Sequence, residues 1–392
     1  TAGTATITGS GGDDLITIGN FASTINAGAG TDVIVGGTAA DTIGGDAGND
    51  TITGSGGNDT LNGGAGNDTI TASTAGNYTV TGGDGTDSVD FGGTLTQNDS
   101  FDGGDGIDTL TLNNTSVTNV KALTVSQINT LNAGISNVEI LDFGTTLTQD
   151  IDLGRLDGIS SILIGDLAGA SNLSGLAATN NIEFSAAGTG AATLTLGDAT
   201  GTADVVNVNL KASAIITQAI TAPNVETVNY VGNDAAAANV SAINVSTLVA
   251  TKATTVNVSG NDGLTLTSTS ATKITTFDAS GVVANDSSDT TANMAVTYTS
   301  ANTSTTAAVS ITGGAGNDTL EGNASVDTIN GGAGDDIITA TAGNDVVAGG
   351  AGADTVTFSD TLFDGNSATT ATHTGGAGTD TLDLAATASI VD

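Results

Sequence analysis

Seven nine-residue units follow one another without a gap from Gly9 to Thr71, and five more run from Gly313 to Thr357. The clearest copies are Gly63–Thr71 (GGAGNDTIT) and Gly313–Glu321 (GGAGNDTLE), both of the form G-G-x-G-x-D-x-U-x with U a large apolar residue. Nine residues divide into a six-residue turn and a three-residue strand. The turn must bend sharply, which glycine permits because it reaches φ > 0 without a Cβ clash. The strand alternates its side chains, so only the U residue points inward. These are Ile16, Ile25, Ile34, Ile43, Ile52, Leu61 and Ile70 in the first block, and Leu320, Ile329, Ile338, Val347 and Val356 in the second. Two units close one turn of a flattened helix, so units i and i+2 stack on one edge. A glycine-rich linker would not place an apolar residue at every ninth position.

Stacking brings the sixth-position aspartates together. The expected pairs are Asp14/Asp32, Asp32/Asp50, Asp50/Asp68 and Asp41/Asp59, then Asp318/Asp336, Asp336/Asp354 and Asp327/Asp345. Each pair offers two carboxylates, and the turn carbonyls offer the remaining oxygens. Those turn residues are Gly45, Ala47 and Asn49; Gly54, Gly56 and Asn58; Gly63, Ala65 and Asn67; Gly313, Ala315 and Asn317; and Gly331, Ala333 and Asp335. A cage of six to eight oxygens suits a hard cation, and calcium better than magnesium, which demands a tighter octahedron. Several calcium ions are therefore expected. Unit 18–26 has Ser23 in place of aspartate, so its turn should fold without metal; unit 36–44 has Ala39 at the fourth glycine, and unit 322–330 keeps Asp327 but lacks two glycines. Single units at 82–90, 103–111 and 375–383 bring in Asp87, Asp108 and Asp380, provided that the insertions around them loop out and the stacking resumes.

The charge follows the same pattern. Of 392 residues 42 are acidic and 5 basic, a net charge of −37. All five basic residues (Lys121, Arg155, Lys211, Lys252 and Lys273) lie between the blocks, whereas residues 1–111 carry fifteen aspartates and residues 313–392 eleven aspartates plus Glu321. Stacked carboxylates repel one another without cations, so metal binding becomes folding free energy. Calcium sites of extracellular modules have dissociation constants of about 10⁻⁴–10⁻³ M, which separates a low-calcium cytosol from a millimolar exterior. Nucleic-acid binding, which needs a basic footprint, is not expected. A halophile's acidic surface would not place its acids at a nine-residue period. The absence of cysteine fits an exported bacterial protein. No apolar run is long enough to span a membrane, and no N-terminal secretion signal is visible, so a fragment or another export route is expected.

Three segments result: a β-roll block at 1–111, a Thr/Val/Asn-rich β segment at 112–312, and a second β-roll block at 313–392. In the middle, alternating runs at 138–143, 161–165, 192–197, 205–210, 225–230, 255–259, 264–267 and 295–299 predict strands. Their spacing suits a larger solenoid coil, with a separate β-sandwich as the competitor. A short helix is expected over Val125–Ala133.

No catalytic constellation emerges, and the chain is not expected to be an enzyme. HExxH is absent, cysteine is absent, and the sole histidine, His373, lies in a Thr/Ala/Ser-rich stretch (Ser367–Thr374) that reads as a solvated loop. Paired carboxylates are already accounted for by calcium. The tyrosines Tyr78, Tyr230 and Tyr298 are scattered and read as packing residues.

Across residues 9–111 and 313–383 the nonapeptides resemble the RTX superfamily of calcium-binding repeats. That likeness implies an all-β chain in which two parallel β-roll blocks (RTX β-solenoids) flank a solenoid-like middle. The runs Val225–Asn229 (VETVN), Thr276–Ser280 (TFDAS) and Val296–Asn302 (VTYTSAN), ahead of the Gly313 block, resemble the C-terminal half of RTX surface-layer proteins of the Caulobacter kind. The resemblance implies a secreted subunit that assembles with copies of itself into a two-dimensional lattice on the bacterial surface. It implies calcium at the solenoid and at the subunit contacts. It further implies type I secretion through an uncleaved C-terminal signal, and a lipopolysaccharide anchor in a domain outside this chain. The competing expectations are a calcium-stiffened segment of a large adhesin and the calcium-dependent tail of a secreted enzyme. A Thr-rich ice-binding solenoid would need regular Thr-x-Thr ranks, for which 193–197 and 264–269 are too sparse.

Overall fold

Three-residue strands such as Thr51–Thr53 and Thr69–Thr71 are too short to stand alone and persist only where each coil is covered by the next. A computed structural model describes residues 4–144, 146–156, 158–186, 190–211, 215–233, 243–285, 289–358 and 371–384. The chain packs as two compact units, Thr1–Gly165 with Leu173–Gly175, and Asp166–Asn172 with Leu176–Asp392.

In the first unit the even-side strands stack in parallel, Leu15–Thr17 on Val33–Val35, Thr51–Thr53 and Thr69–Thr71, with partners eighteen residues apart, as in Ile34↔Ile52↔Ile70. The other side stacks Ala5–Thr8, Ser23–Ala29, Thr42–Ala47, Thr60–Ala65 and Thr79–Gly85 in the same manner. Ile34, Ile52 and Ile70 on one side and Ile43 and Leu61 on the other are buried in two facing files, each residue contributing about 1.5–3 kcal/mol of apolar burial. The ladder continues beyond the repeats: Thr109–Thr111 pairs with Ile140–Asp142, and that strand with Ser161–Ile164. The added residues leave the strand stack. Between Thr111 and Ile140 they form two helices, Asn114–Ala122 and Val125–Gly134. The Asn113 side chain caps the first, accepting from Thr115 N–H at 2.9 Å. The second is the helix expected from the sequence. Its Ile128 and Leu131 are buried, whereas Val125 is 78% exposed.

In the second unit one ladder runs Val206–Val228–Val256–Phe277–Ile311–Ile329–Val347. The opposite ladder runs Leu266–Tyr298–Leu320–Ile338–Val356. The strands expected in the middle segment are present. Every strand pairing among the described residues is parallel, which rules out the antiparallel β-sandwich. Strands Ser171–Leu176, Asn181–Phe184, Thr217–Thr221, Asn244–Val249 and Thr276–Val282 were not foreseen. His373 is not in a solvated loop: it lies in the strand Thr372–Ala377 and pairs with Val347, at the inward position of the ladder. Phe277 and Tyr298 stack face to face across the core, centroids 3.9 Å apart and planes 3° from parallel.

That stack is the largest aromatic contact in the second unit's core. Phe277→Ala is expected to cost about 3–5 kcal/mol in urea unfolding at saturating calcium. The outward Thr276→Ala should stay within about 0.5 kcal/mol.

Candidate metal rows

The strand stack fixes where each turn lies, and so where each sixth-position carboxylate points. On one edge of the first unit, Oδ1 of each aspartate accepts the backbone N–H of the aspartate one coil earlier. Asp14 donates to Asp32 at 2.7 Å, and Asp32 to Asp50, Asp50 to Asp68, Asp68 to Asp87 and Asp87 to Asp108 at 2.8 Å each. The insertions therefore loop out and Asp87 and Asp108 join the row. On the other edge Ser23 donates to Asp41 and Asp41 to Asp59, both at 2.8 Å, so the turn of unit 18–26 is folded. In the second unit Asp318 donates to Asp336 at 2.8 Å, Asp336 to Asp354 at 3.0 Å and Asp354 to Asp380 at 3.2 Å; Asp327 donates to Asp345 at 2.8 Å.

The second carboxylate oxygen divides the aspartates into two groups. Oδ2 of Asp32, Asp50, Asp59, Asp68, Asp87, Asp108, Asp336 and Asp354 is buried and has no hydrogen-bond partner. A buried orphan oxygen on an ionisable group is costly unless something positive meets it. The Asp99 loop closes on itself, Thr96 N–H donating to Asp99 Oδ2 at 2.7 Å, and so does the first aspartate-bearing loop of each row. There the N–H of its second residue closes onto the same loop's Oδ2: Ser10 onto Asp14, Gly37 onto Asp41, Gly314 onto Asp318 and Asn323 onto Asp327, at 2.6–3.0 Å. Interior loops instead hold their second residue at φ > 0, as at Gly64 (118°), Gly83 (124°) and Gly332 (111°), and even at the non-glycines Asp46 (74°) and Ser55 (64°).

The turn residues complete the cage. A Cβ on Gly45 would meet both Asp50 Oδ2 and the Gly63 carbonyl; one on Gly63 would meet Asp68 Oδ2 and the Gly82 carbonyl. Gly313 and Gly331 are placed alike, against Asp318 Oδ2 with the Gly331 carbonyl and Asp336 Oδ2 with the Gly349 carbonyl. Gly54 faces Asp59 Oδ2. The first glycine thus leaves room for a cation between a carboxylate and the next coil's carbonyl. Ala47 and Ala65 accept ladder bonds from Gly30 and Gly48 at 2.9 and 2.7 Å, while the Gly56 and Ala333 N–H groups donate to Gly37 and Gly314, at 3.0 and 2.9 Å, and the Ala315 N–H donates to Val282 at 2.9 Å. The side chains of Asn49, Asn58, Asn67, Asn317 and Asp335 form an outer ladder. Each accepts the N–H of the residue at the equivalent place in the next coil, at 2.7–3.0 Å. The asparagines then offer a metal their main-chain oxygens. Among the described residues no group of three or more His, Cys, Asp or Glu side chains converges, so a cation here must draw on backbone carbonyls, as calcium does readily. The residues present fit calcium.

Two members of the rows were not foreseen. Asp99, buried, holds the sixth position before Phe101 and accepts Tyr78 N–H at 2.8 Å; its D-x-U-x spacing was the available signal, hidden by the missing glycines. Tyr78 stands at the sixth position itself, after Asp59. Its ring packs beside Gly54, and its hydroxyl donates to the Ser55 carbonyl at 2.5 Å. The basic residues stay out of the rows: Arg155 pairs with Asp152 at 3.2 Å and Lys211 with Glu183 at 3.7 Å.

Burial pushes the carboxyls of Asp59, Asp68, Asp318 and Asp336 up, backbone N–H donors partly offset this, and neighbouring carboxylates push Asp59, Asp68 and Asp336 further. Asp59, Asp68 and Asp318 rise to about 6 and Asp336 to about 7. Asp50, Asp87, Asp108 and Asp327 are raised by the same leading cause.

The model of RTX calcium-binding nonapeptide repeats matches this chain in overlapping stretches, 8–43, 17–52, 35–70 and 44–78 in the first block and 310–338 and 330–360 in the second. No curated protein matches the chain. The chain therefore carries RTX calcium-binding repeats, and the rows begin within the two matched regions and run beyond them to Asp108 and Asp380. Proteins with such repeats are typically secreted, and among the described residues no helix is long and apolar enough to cross a membrane.

Asp50 offers Oδ1 to the coil before it and Oδ2 to the gap after it, so Asp50→Ala should disturb two neighbouring calcium positions and lower the stoichiometry in calorimetric titration; an unchanged stoichiometry would break the row. The raised carboxyls set a pH dependence of opposite sign with and without metal. Without calcium the folded chain holds more protons than the unfolded chain between about pH 4 and 7, so its stability falls as pH rises through that window. Calcium needs the ionised carboxylates, so its affinity rises over the same window. Circular-dichroism melts in chelator should accordingly give a higher midpoint at pH 5 than at pH 7.5, and melts in millimolar calcium the reverse.

Proposed function

We propose that this chain is a non-catalytic, structural segment of a bacterial surface-layer protein, which folds on meeting extracellular calcium and assembles with copies of itself into a two-dimensional lattice. The observation that carries this reading is the placement of calcium rows in both blocks, each joined to the middle strands by direct pairing, as in Tyr298↔Leu320 and Leu110↔Leu141. Two metal-binding blocks, each paired with middle strands of its own unit, suit a load-bearing wall more than a tail that only helps a neighbouring domain to fold. The outward ranks support it. Asn207, Asn229 and Asn257 are linked side chain to side chain at 2.8 Å, and Thr227, Thr255 and Thr276 align beside them. Such ordered polar ranks suit repeated contacts between copies.

Copies carrying a net charge of −37 repel at close range, so the contacts themselves need cations. Asp84 and Asp105, exposed and neighbouring in register, are of the kind that a bridging calcium would serve. Export by type I secretion and attachment to outer-membrane lipopolysaccharide through a region outside this chain belong to the same proposal.

Negative-stain microscopy with and without millimolar calcium, with circular dichroism on the same samples, tests it. The expected result is sheets that form with calcium and dissolve with chelator. Folding to β structure as single particles would sink the lattice reading and favour an adhesin segment or an enzyme's calcium-dependent tail.

A further inference from the structure

The first unit's long row does not stop at its last nonapeptide. The N–H of Asp108, which in every earlier coil would find the next aspartate's carboxylate, donates to Glu139 Oε2 at 2.9 Å. Asp108 Oδ2 is buried and without a partner, the condition of Asp50, Asp68 and Asp87 before it, and Asp108 itself is 0% exposed. The wall of the gap repeats as well. A Cβ on Gly103 would meet Asp108 Oδ2 together with the Asn137 carbonyl, where Gly82 meets Asp87 Oδ2 with the Gly103 carbonyl and Gly63 meets Asp68 Oδ2 with that of Gly82. Asn137 thus supplies the oxygen that a first-position glycine supplies elsewhere. It does so from a left-handed conformation (φ 53°), held by its side-chain amide donating to Asp102 Oδ1 at 2.8 Å and by Ser136 Oγ donating to the same oxygen at 3.1 Å.

We infer that the gap between the turn 103–108 and the turn 137–139 is a further calcium site, held by the Asp108 and Glu139 carboxylates and the Asn137 carbonyl. No GGxGxD sequence lies on its far side, and the matched regions of the first block end at residue 78. The longer glutamate spans a gap whose second wall is a plain turn, Asn-Val-Glu, with Val138 buried beneath it. The same tripeptide recurs at Asn224–Glu226, with Asn224 again left-handed (φ 59°), Val225 fully buried and Glu226 Oε2 accepting Asp204 N–H at 3.1 Å. The turn is therefore a device that places a glutamate under an aspartate one coil earlier. At 137–139 it also fastens the two-helix insertion 114–134 to the roll, since the chain returns from that insertion directly into the site.

The inference rests on the calcium rows, and the test separates the two. Glu139→Gln keeps an oxygen for the Asp108 N–H and removes the charge. In calorimetric calcium titration of the whole chain it should bind one calcium fewer than the parent, with the circular-dichroism spectrum in excess calcium unchanged. Glu321→Gln, on an outward strand position, should bind as many as the parent, and Asp50→Ala should bind fewer. Loss in Asp50→Ala with no loss in Glu139→Gln would overturn this site and leave the rows standing. No loss in either would overturn both. Should Glu139→Gln fail to fold, crystals of the unaltered protein grown in calcium decide: an anomalous peak about 2.3–2.6 Å from Asp108 Oδ2 and a Glu139 oxygen supports the site, and a water or an empty gap there overturns it.

Discussion

Like charges buried at a fixed spacing govern this molecule. The coil brings a carboxylate under the backbone N–H of the coil before it, which satisfies one oxygen, and leaves the other facing the next turn with nothing to meet it. Hydrogen bonds along the row fix the spacing but do not remove the charge, and burial makes the ionised form costly. A divalent cation in each gap would answer that charge. The isoleucine file supplies cohesion inside, the aspartate row supplies a condition on the outside, and one nine-residue period sets both.

The period tolerates interruption because only two features must keep register, the inward apolar residue and the carboxylate two residues before it. Partners are eighteen residues apart between Ile52 and Ile70, nineteen between Ile70 and Val89, twenty-one between Val89 and Leu110, and thirty-one between Leu110 and Leu141. The added residues are spent in turns or in the two helices, and the stack closes again above them. In the second unit the spacing varies, with 22 residues between Val206 and Val228, 28 between Val228 and Val256, 21 between Val256 and Phe277 and 34 between Phe277 and Ile311, and it returns to eighteen between Ile311 and Ile329.

The repeated parts of the fold were therefore legible, and the reasons for the omissions are physical. Aspartates within intact units could be paired by counting, and the stack joins those pairs. Asp99 and Glu139 could not be found by counting, because they hold their places through strand register after an insertion and not through a glycine pattern. Tyr78 was read as packing; it is buried, but at an aspartate's place, which only the stack reveals. His373 looked like loop because its neighbours are Thr and Ala, yet the coil sets its side chain under Val347. The helix 114–122 carries a weak apolar pattern and is held mainly by its asparagine cap and by Val117 and Val120 against the roll.

The first aspartate-bearing loop in each row closes its own carboxylate with its own N–H, whereas later loops, the Asp99 loop excepted, leave theirs open. A row built this way has a direction. One end can hold its shape before any ion arrives, and each further loop gains its shape from the loop already formed and the ion between them. Ordering then resembles a zipper with its slider parked at one end, so a chain passing from a calcium-poor to a calcium-rich space carries starting points at residues 9–14, 36–41, 313–318 and 322–327 and closes away from them.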